Sequence, residues 1–244
     1  MSEQDKPGVL IVGATSGIAR AVAAAYAARG GRLVLAARDL QSLEEDASDL
    51  RVRFGTDVQT RAFDATDAAA ADKLLDGLRT EVAVLCHGTM LSNEQARADP
   101  DGHRRMIEIN YASYALLLEK LADQMQDKGG VIAVLSSVAG DRGRGSNYCY
   151  GATKAALTAY ADGLRGRLNG TGVHVVTVKP GPVQTAMTAG LPGYEKMAEP
   201  ARVAKQIVRA IDKRKNVVYT PGKWRLIMAV IRAIPEYKFK KLSI

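Results

Sequence analysis

The regular return of short apolar runs between longer amphipathic segments restricts this chain most. "GVLIVG" (8–13), "RLVLAAR" (32–38), "DVQTRAFDAT" (57–66), "VAVLCHG" (82–88), "GGVIAVLSS" (129–137), "GVHVVTVKPG" (172–181) and "NVVYTP" (216–221) read as strands. Helical patterns lie between them, over 17–31, 39–53, 67–79, about 102–127, 147–169 and 199–214. Strands that alternate with helices connect by right-handed crossovers and build a parallel sheet. The expected fold is therefore α/β: a single doubly wound domain, with a mostly parallel seven-stranded sheet and helices on both faces. No linker, low-complexity tract or internal repeat interrupts 1–222, and 223–244 reads as a basic amphipathic extension of the same domain.

Apolar residues make up 47% of the 244, enough for a sizeable core. The formal net charge of +8 favours anionic partners: nucleotide phosphates, nucleic acid or acidic lipid surfaces. Nothing resembles a helix-turn-helix, a zinc finger or an aromatic RNA platform, so nucleic acid is not expected. Cys86 and Cys149 lack metal-ligand spacing and read as reduced, buried thiols of a cytoplasmic protein. His87, His103 and His174 are scattered and suggest no metal site. The polar start "MSEQDK" has no signal-peptide core, and no apolar run approaches the roughly 20 residues that span a bilayer.

"GATSGIA" (13–19) falls between the first strand and the first helix. Gly13 permits a tight turn, and Gly17 lets the backbone approach a pyrophosphate at the helix N-terminus, where free N–H groups and the helix dipole favour anions. Thr15, Ser16 and Ile18 belong to the same cradle. Arg38 ends the second strand with no carboxylate before Asp39, which favours a 2′-phosphate over a 2′-hydroxyl and hence NADP(H). Asp64, after the third strand, is placed to accept from an adenine amino group, with a turn-forming role as the competing reading.

In "YGATK" (150–154), Tyr150 and Lys154 share a helix face. An ammonium nearby would lower the Tyr150 pKa and fit it to protonate a reduced carbonyl oxygen. Ser137, at the end of the fifth strand, would hold that oxygen. With these pieces the chain resembles the short-chain dehydrogenase/reductase family, through "GATSGIA", "CHG" (86–88), "IEIN" (107–110), "SSVAG" (136–140), "YGATK" and "PGPVQT" (180–185). The resemblance implies a Rossmann-type fold and makes Ser137, rather than Ser136, the catalytic serine. It places Asn110 in a proton relay through water and has Lys154 also hold the nicotinamide ribose. Gly88, Pro180, Gly181 and Val183 fall near the nicotinamide, and Thr185 on its carboxamide. Two departures stand out: Ala19 replaces a glycine of the phosphate turn, and Cys86-His87-Gly88 replaces Asn-Ala-Gly. His87 is therefore read as structural. A homodimer or homotetramer is expected by the same resemblance.

Two local features bear on the ketone. Arg142, Arg144 and Asn147 lie in "AGDRGRGSNY" (139–148), before the catalytic helix, and are candidates to meet a phosphate or sugar hydroxyls. The segment 223–242 mixes Trp224, Leu226, Ile227, Met228, Val230, Ile231 and Ile234 with six Lys or Arg. It could lie along an anionic membrane surface or pack on protein. The loop and tail resemble the decaprenylphosphoryl-2-keto-ribose reductases. That resemblance implies a lipid-linked keto-sugar substrate, a flavin oxidase partner and a peripheral site on the inner face of the membrane. A soluble carbonyl or 3-oxoacyl reductase, and a catalytically silent NADP-binding regulatory protein, remain the alternatives. If Arg38 reads a 2′-phosphate, the unmodified protein prefers NADPH, and Arg38→Asp weakens or reverses that preference in steady-state kinetics; equal use of both coenzymes contradicts it.

Overall fold

In the computed structural model, residues 8–242 are described. Seven strands form one sheet: β1 (Gly8–Val12), β2 (Arg32–Ala37), β3 (Val58–Ala62), β4 (Val82–Leu85), β5 (Gly130–Leu135), β6 (Val173–Pro180) and β7 (Val217–Thr220). Their order is β3-β2-β1-β4-β5-β6-β7, and every pairing is parallel, where a mostly parallel sheet was expected. The order reverses at β1, so the crevice beyond the carboxyl ends of β1 and β4 is where such sheets bind ligands.

The sheet is sandwiched because its strands are apolar on both sides. In β1, Val9 and Ile11 enter one core with α1 (Gly17–Ala27), α2 (Leu40–Phe54) and α8 (Pro200–Asp212). Leu10 and Val12 enter the other, with α3 (Ala70–Leu75), α6 (Ser113–Met125) and α7 (Tyr148–Arg167). Ala19, the departure in the phosphate turn, is fully buried in the first core, where a methyl is absorbed between α1 and the sheet.

Two helical expectations change. The helix expected over 102–127 begins earlier and is broken. α4 (Asn93–Ala98) is closed off at Asp99, α5 (Pro100–Ile107) restarts with proline in its first turn, and a π-turn (Glu108–Ala112) leads into α6. Proline is tolerated at a helix start, where its missing N–H would be unpaired anyway, and the π-turn surrounds Asn110. The helix expected over 67–79 shrinks to α3, because Asp64 and Asp67 spend their carboxylates on the turn before it.

The chain ends in α9 (Lys223–Ala233) and α10 (Glu236–Phe239). Met228 and Phe239 are buried, so this segment packs on the domain. Nearby, the buried Asp141 carboxylate receives Lys179 Nζ at 2.5 Å and the Tyr219 hydroxyl at 2.7 Å, tying the chain after β5 to β6 and β7. Removing one partner strands the other charge in the interior, so Asp141→Ala should cost about 3 kcal/mol in denaturant unfolding. A loss under about 1 kcal/mol would show the network to be dispensable.

Candidate active site

A cleft of about 360 Å³ opens at the carboxyl edge of the sheet. On one side lie Thr15, Ser16, Gly17 and Ile18, at the start of α1. Gly13 makes this turn. Its φ is +73°, and a Cβ there would come within 2.5 Å of His87 N, so a side chain is excluded on two counts. Ser16 caps α1 by accepting from Ala19 N at 3.4 Å. Across the cleft, Thr185 faces Gly17: a Cβ on Gly17 would lie 3.1 Å from Thr185 Cγ2. A bare backbone, a helix N-terminus and a narrow groove fit a pyrophosphate.

Arg38 is exposed at the end of β2, outside the cleft lining. Asp64 also lies outside it, and accepts from Thr66 N at 2.9 Å and the Thr66 hydroxyl at 2.8 Å. Those bonds, with a smaller contribution from the Arg38 charge, hold its carboxyl below the ordinary aspartate value. Asp64 thus commits Oδ1 to the turn, with the Arg38 guanidinium among the charges that act on it.

At the reaction end, α7 runs unusually close to the chain leaving β5. A Cβ on Gly140 would lie 2.6 Å from Lys154 C, and one on Gly151 would lie 2.8 Å from Ala139 O. Ser136 Oγ rivets the two segments, donating to Lys154 O at 3.0 Å and pairing with Thr158 Oγ1 at 2.7 Å. Ser137 also lines the cleft, and its hydroxyl is not used in this rivet. That hydroxyl lies near enough to the Tyr150 phenol to oppose the rise in that group's pKa, and it accepts from Ala139 N at 3.1 Å. Lys154 Nζ lies 5.9 Å from the centre of the Tyr150 ring and donates to Leu135 O at 2.9 Å.

The titration order differs from the one expected. Burial pushes Tyr150 up to about 12, with the Ser137 bond opposing, and pushes Lys154 down to about 8. Desolvation dominates both shifts because the two groups sit in the same low-dielectric wall. The result still suits a general acid, since Tyr150 holds its proton at neutral pH.

Asn110 is fully buried, and its side chain is committed: Oδ1 accepts from Thr89 N at 2.8 Å, and Nδ2 donates to Thr89 O at 2.8 Å and Thr153 Oγ1 at 3.1 Å. It shapes the site by pinning the chain after Gly88 rather than by presenting its amide to the cleft. A Cβ on Gly88 would fill the space 3.1 Å from Asn110 Oδ1 and 3.6 Å from Lys154 Nζ. His87, read as structural, lies in the cleft wall and is held by the fold. Nε2 pairs with Ser113 Oγ at 3.0 Å, the ring stacks on Tyr114 at 3.8 Å, and burial lowers its pKa to about 3; Nδ1 has no protein partner.

Pro180, Gly181, Val183, Arg144 and Asn147 also line the cleft. Arg144 Nε and Asn147 Oδ1 are buried without a hydrogen-bond partner. Arg142 is a correction: it does not line the cleft, because its guanidinium is taken by the chain end, donating to Ile231 O and Ile234 O at 2.6 Å each. Trp224 is the second correction. The sequence reads it only as one apolar residue of a terminal segment that either lies on a membrane or packs on protein, and it lines the cleft. Sequence reasoning also missed Thr89, Thr153 and the close-approach glycines Gly140 and Gly151. Only Thr153 carried a signal, one turn after Tyr150 on the helix.

The buried ammonium is costly to stability. Below about 8 Lys154 is charged in both states and the cost is fully present; it fades as pH rises towards the ordinary 10.5, where only the unfolded chain still binds the proton. Lys154→Met should therefore abolish turnover yet raise the melting midpoint at neutral pH, with the gain shrinking between those two values. A lower midpoint at neutral pH would show Lys154 to be stabilising.

A family model for the short chain dehydrogenases matches residues 8–195. An uncharacterized oxidoreductase of Mycobacterium tuberculosis is 36% identical over 250 residues, covering 99% of each chain. One from Streptomyces coelicolor is 35% identical, over 97% of this chain and 96% of its own. A solved short-chain dehydrogenase from Sphingobium yanoikuyae, in complex with NADPH, superposes with a TM-score of 0.81 at 28% identity, covering 94% and 97%. With the phosphate turn, the Ser137–Tyr150–Lys154 grouping and these relatives in agreement, the chain belongs to the short-chain dehydrogenase family.

Proposed function

We propose that this chain is an NADPH-dependent reductase of a ketone, and that the ketone is a keto sugar on a polyprenyl phosphate carrier. The observation that carries the reductase reading is the meeting of Ser137, a protonated Tyr150 and Lys154 in one cleft with the α1 phosphate turn. NADPH supplies the hydride when bound. Gly17 and Ile18 would hold its pyrophosphate, Arg38 its 2′-phosphate, Asp64 its adenine, and Thr185 its carboxamide. Ser137 orients the carbonyl oxygen, Tyr150 gives it a proton from its phenol, and Lys154 offsets the charge left on the phenolate oxygen. Asn110 supports that proton supply by fixing Thr89 and Thr153.

The lipid-carrier reading draws support from the cleft and from its edge. Arg144 forms no salt bridge among the described residues, and burial holds its guanidinium below the ordinary arginine value. Beside Asn147 it would receive a phosphate or sugar hydroxyls. Outside the cleft, Leu226, Val230 and Tyr237 are 73%, 58% and 62% exposed, among exposed Lys223, Arg225, Lys238, Lys240 and Lys241. Such a face would rest against an anionic bilayer. Among the described residues no helix is long and apolar enough to cross one. A peripheral site on the cytoplasmic face, and a flavin oxidase supplying the keto sugar, follow from this reading. Ile107 on α5 and Leu116 on α6 are exposed apolar residues available to a homodimer or homotetramer.

The test is NADPH oxidation with a polyprenyl-phosphoryl 2-keto-pentose in liposomes, beside water-soluble ketones. Turnover of the lipid-linked sugar at a kcat/KM about tenfold or more above every soluble ketone is the expected result. Equal or better turnover of soluble ketones would make this a carbonyl or 3-oxoacyl reductase, and NADPH binding with no turnover at all would return the chain to a regulatory role.

A further inference from the structure

The chain's only tryptophan sits on the active site. A Cβ on Gly181 would lie 1.9 Å from Trp224 Nε1 and 2.2 Å from its Cε2, so the indole rests directly on the Gly181 backbone. Gly181 in turn donates its N–H to Thr220 O at 3.0 Å, and Trp224 N donates to Pro221 O at 3.0 Å. The first turn of α9 is thereby fixed to the segment that leaves β6 and lines the cleft. Met228, one turn further along the same inward face, is fully buried and anchors the middle of the helix.

The far end of α9 is held from the catalytic side of the molecule. Arg142 follows the turn begun by Ser137. Its guanidinium caps α9 through the Ile231 and Ile234 carbonyls at 2.6 Å and lies 3.6 Å from the centre of the Phe239 ring. Helix C-terminal carbonyls lack internal partners and carry the negative end of the dipole, so a largely buried planar cation is a strong clamp there. Its ion pair with Glu236 at 2.9 Å adds little, because Glu236 is largely exposed. The preceding residue, Asp141, locks the same turn to Lys179 and Tyr219. One dipeptide therefore joins the chain after the catalytic serine to β6, β7, the C-terminal end of α9 and α10.

We infer that α9 is the substrate-side wall of the active site: Trp224 determines which ketones the cleft accepts, and Arg142 is the positioning residue that holds that wall in place. The indole is broad and rigid, and its contact with a hydrogen-only residue leaves it nowhere to retreat on the Gly181 side. Met187 and Leu191, each 43% exposed, line the remaining rim and can yield to a ligand. The inference rests on the reductase chemistry alone and stands whether or not the ketone travels on a lipid.

The test pairs selectivity with the emission of this lone tryptophan. In a series of soluble ketones graded by bulk, Trp224→Ala should raise the kcat/KM ratio of bulky to small ketones about tenfold or more, and Trp224→Phe should retain most of the original ratio. Arg142→Ala should move the ratio in the same direction, mainly through KM, and Arg142→Lys should recover it in part. Acrylamide quenching of Trp224 emission should fall when NADPH and a ketone fill the cleft, and should stay high in Arg142→Ala. A uniform loss across all ketones with the ratio unchanged would overturn the inference. So would emission indifferent to both cleft occupancy and Arg142→Ala, and this second readout decides the matter even if none of the soluble ketones is turned over. Failure of the lipid-carrier reading would show separately, in the substrate choice of the unmodified enzyme.

Discussion

α7 meets the end of β5 almost backbone to backbone, and the reaction end of the molecule depends on that approach. Gly140 and Gly151 supply the bare surfaces that allow it, and Ser136 closes it with a bond to the Lys154 carbonyl. Once the two segments are this close, Ser137, Tyr150 and Lys154 have one arrangement available. The Lys154 ammonium reaches the Leu135 carbonyl, and the Ser137 hydroxyl reaches the Tyr150 phenol. A methyl at Gly140 would push against backbone rather than against a side chain that could move.

The same burial sets the chemistry. Set into the low-dielectric wall of the cleft, Tyr150 keeps its proton and Lys154 holds its own less tightly. In the proposed mechanism the expensive lysine is tolerated because an ammonium is most useful beside a nascent phenolate in a low-dielectric wall, where Coulomb interactions are strongest. Stability is lost at the site where charge must be managed, and the two apolar cores on either face of the sheet compensate.

The strands were legible because a sheet covered on both faces demands continuous apolar runs, and the phosphate turn because its glycines sit at a strand-to-helix junction. Ser137, Tyr150 and Lys154 were legible from spacing and family likeness together. Features set by tertiary approach were not. Arg142 and Arg144 are two residues apart in one loop, yet one clamps α9 and the other lines the cleft. Nothing local distinguishes them. Trp224 reads as one apolar residue in an amphipathic helix, and only its meeting with Gly181, across α8 and β7, makes it part of the site. The sign of the Tyr150 shift was misjudged for a related reason: helix spacing reveals that the lysine is near, but not how dry the wall around both groups is.

The account stands most directly on Tyr150 as the proton donor. The decisive measurement is NADPH affinity and single-turnover ketone reduction for Tyr150→Phe beside the unmodified protein. The account predicts an NADPH affinity within a few-fold of the original and a chemical step slowed by about 100-fold or more. An unchanged chemical step, with NADPH still bound, would contradict it.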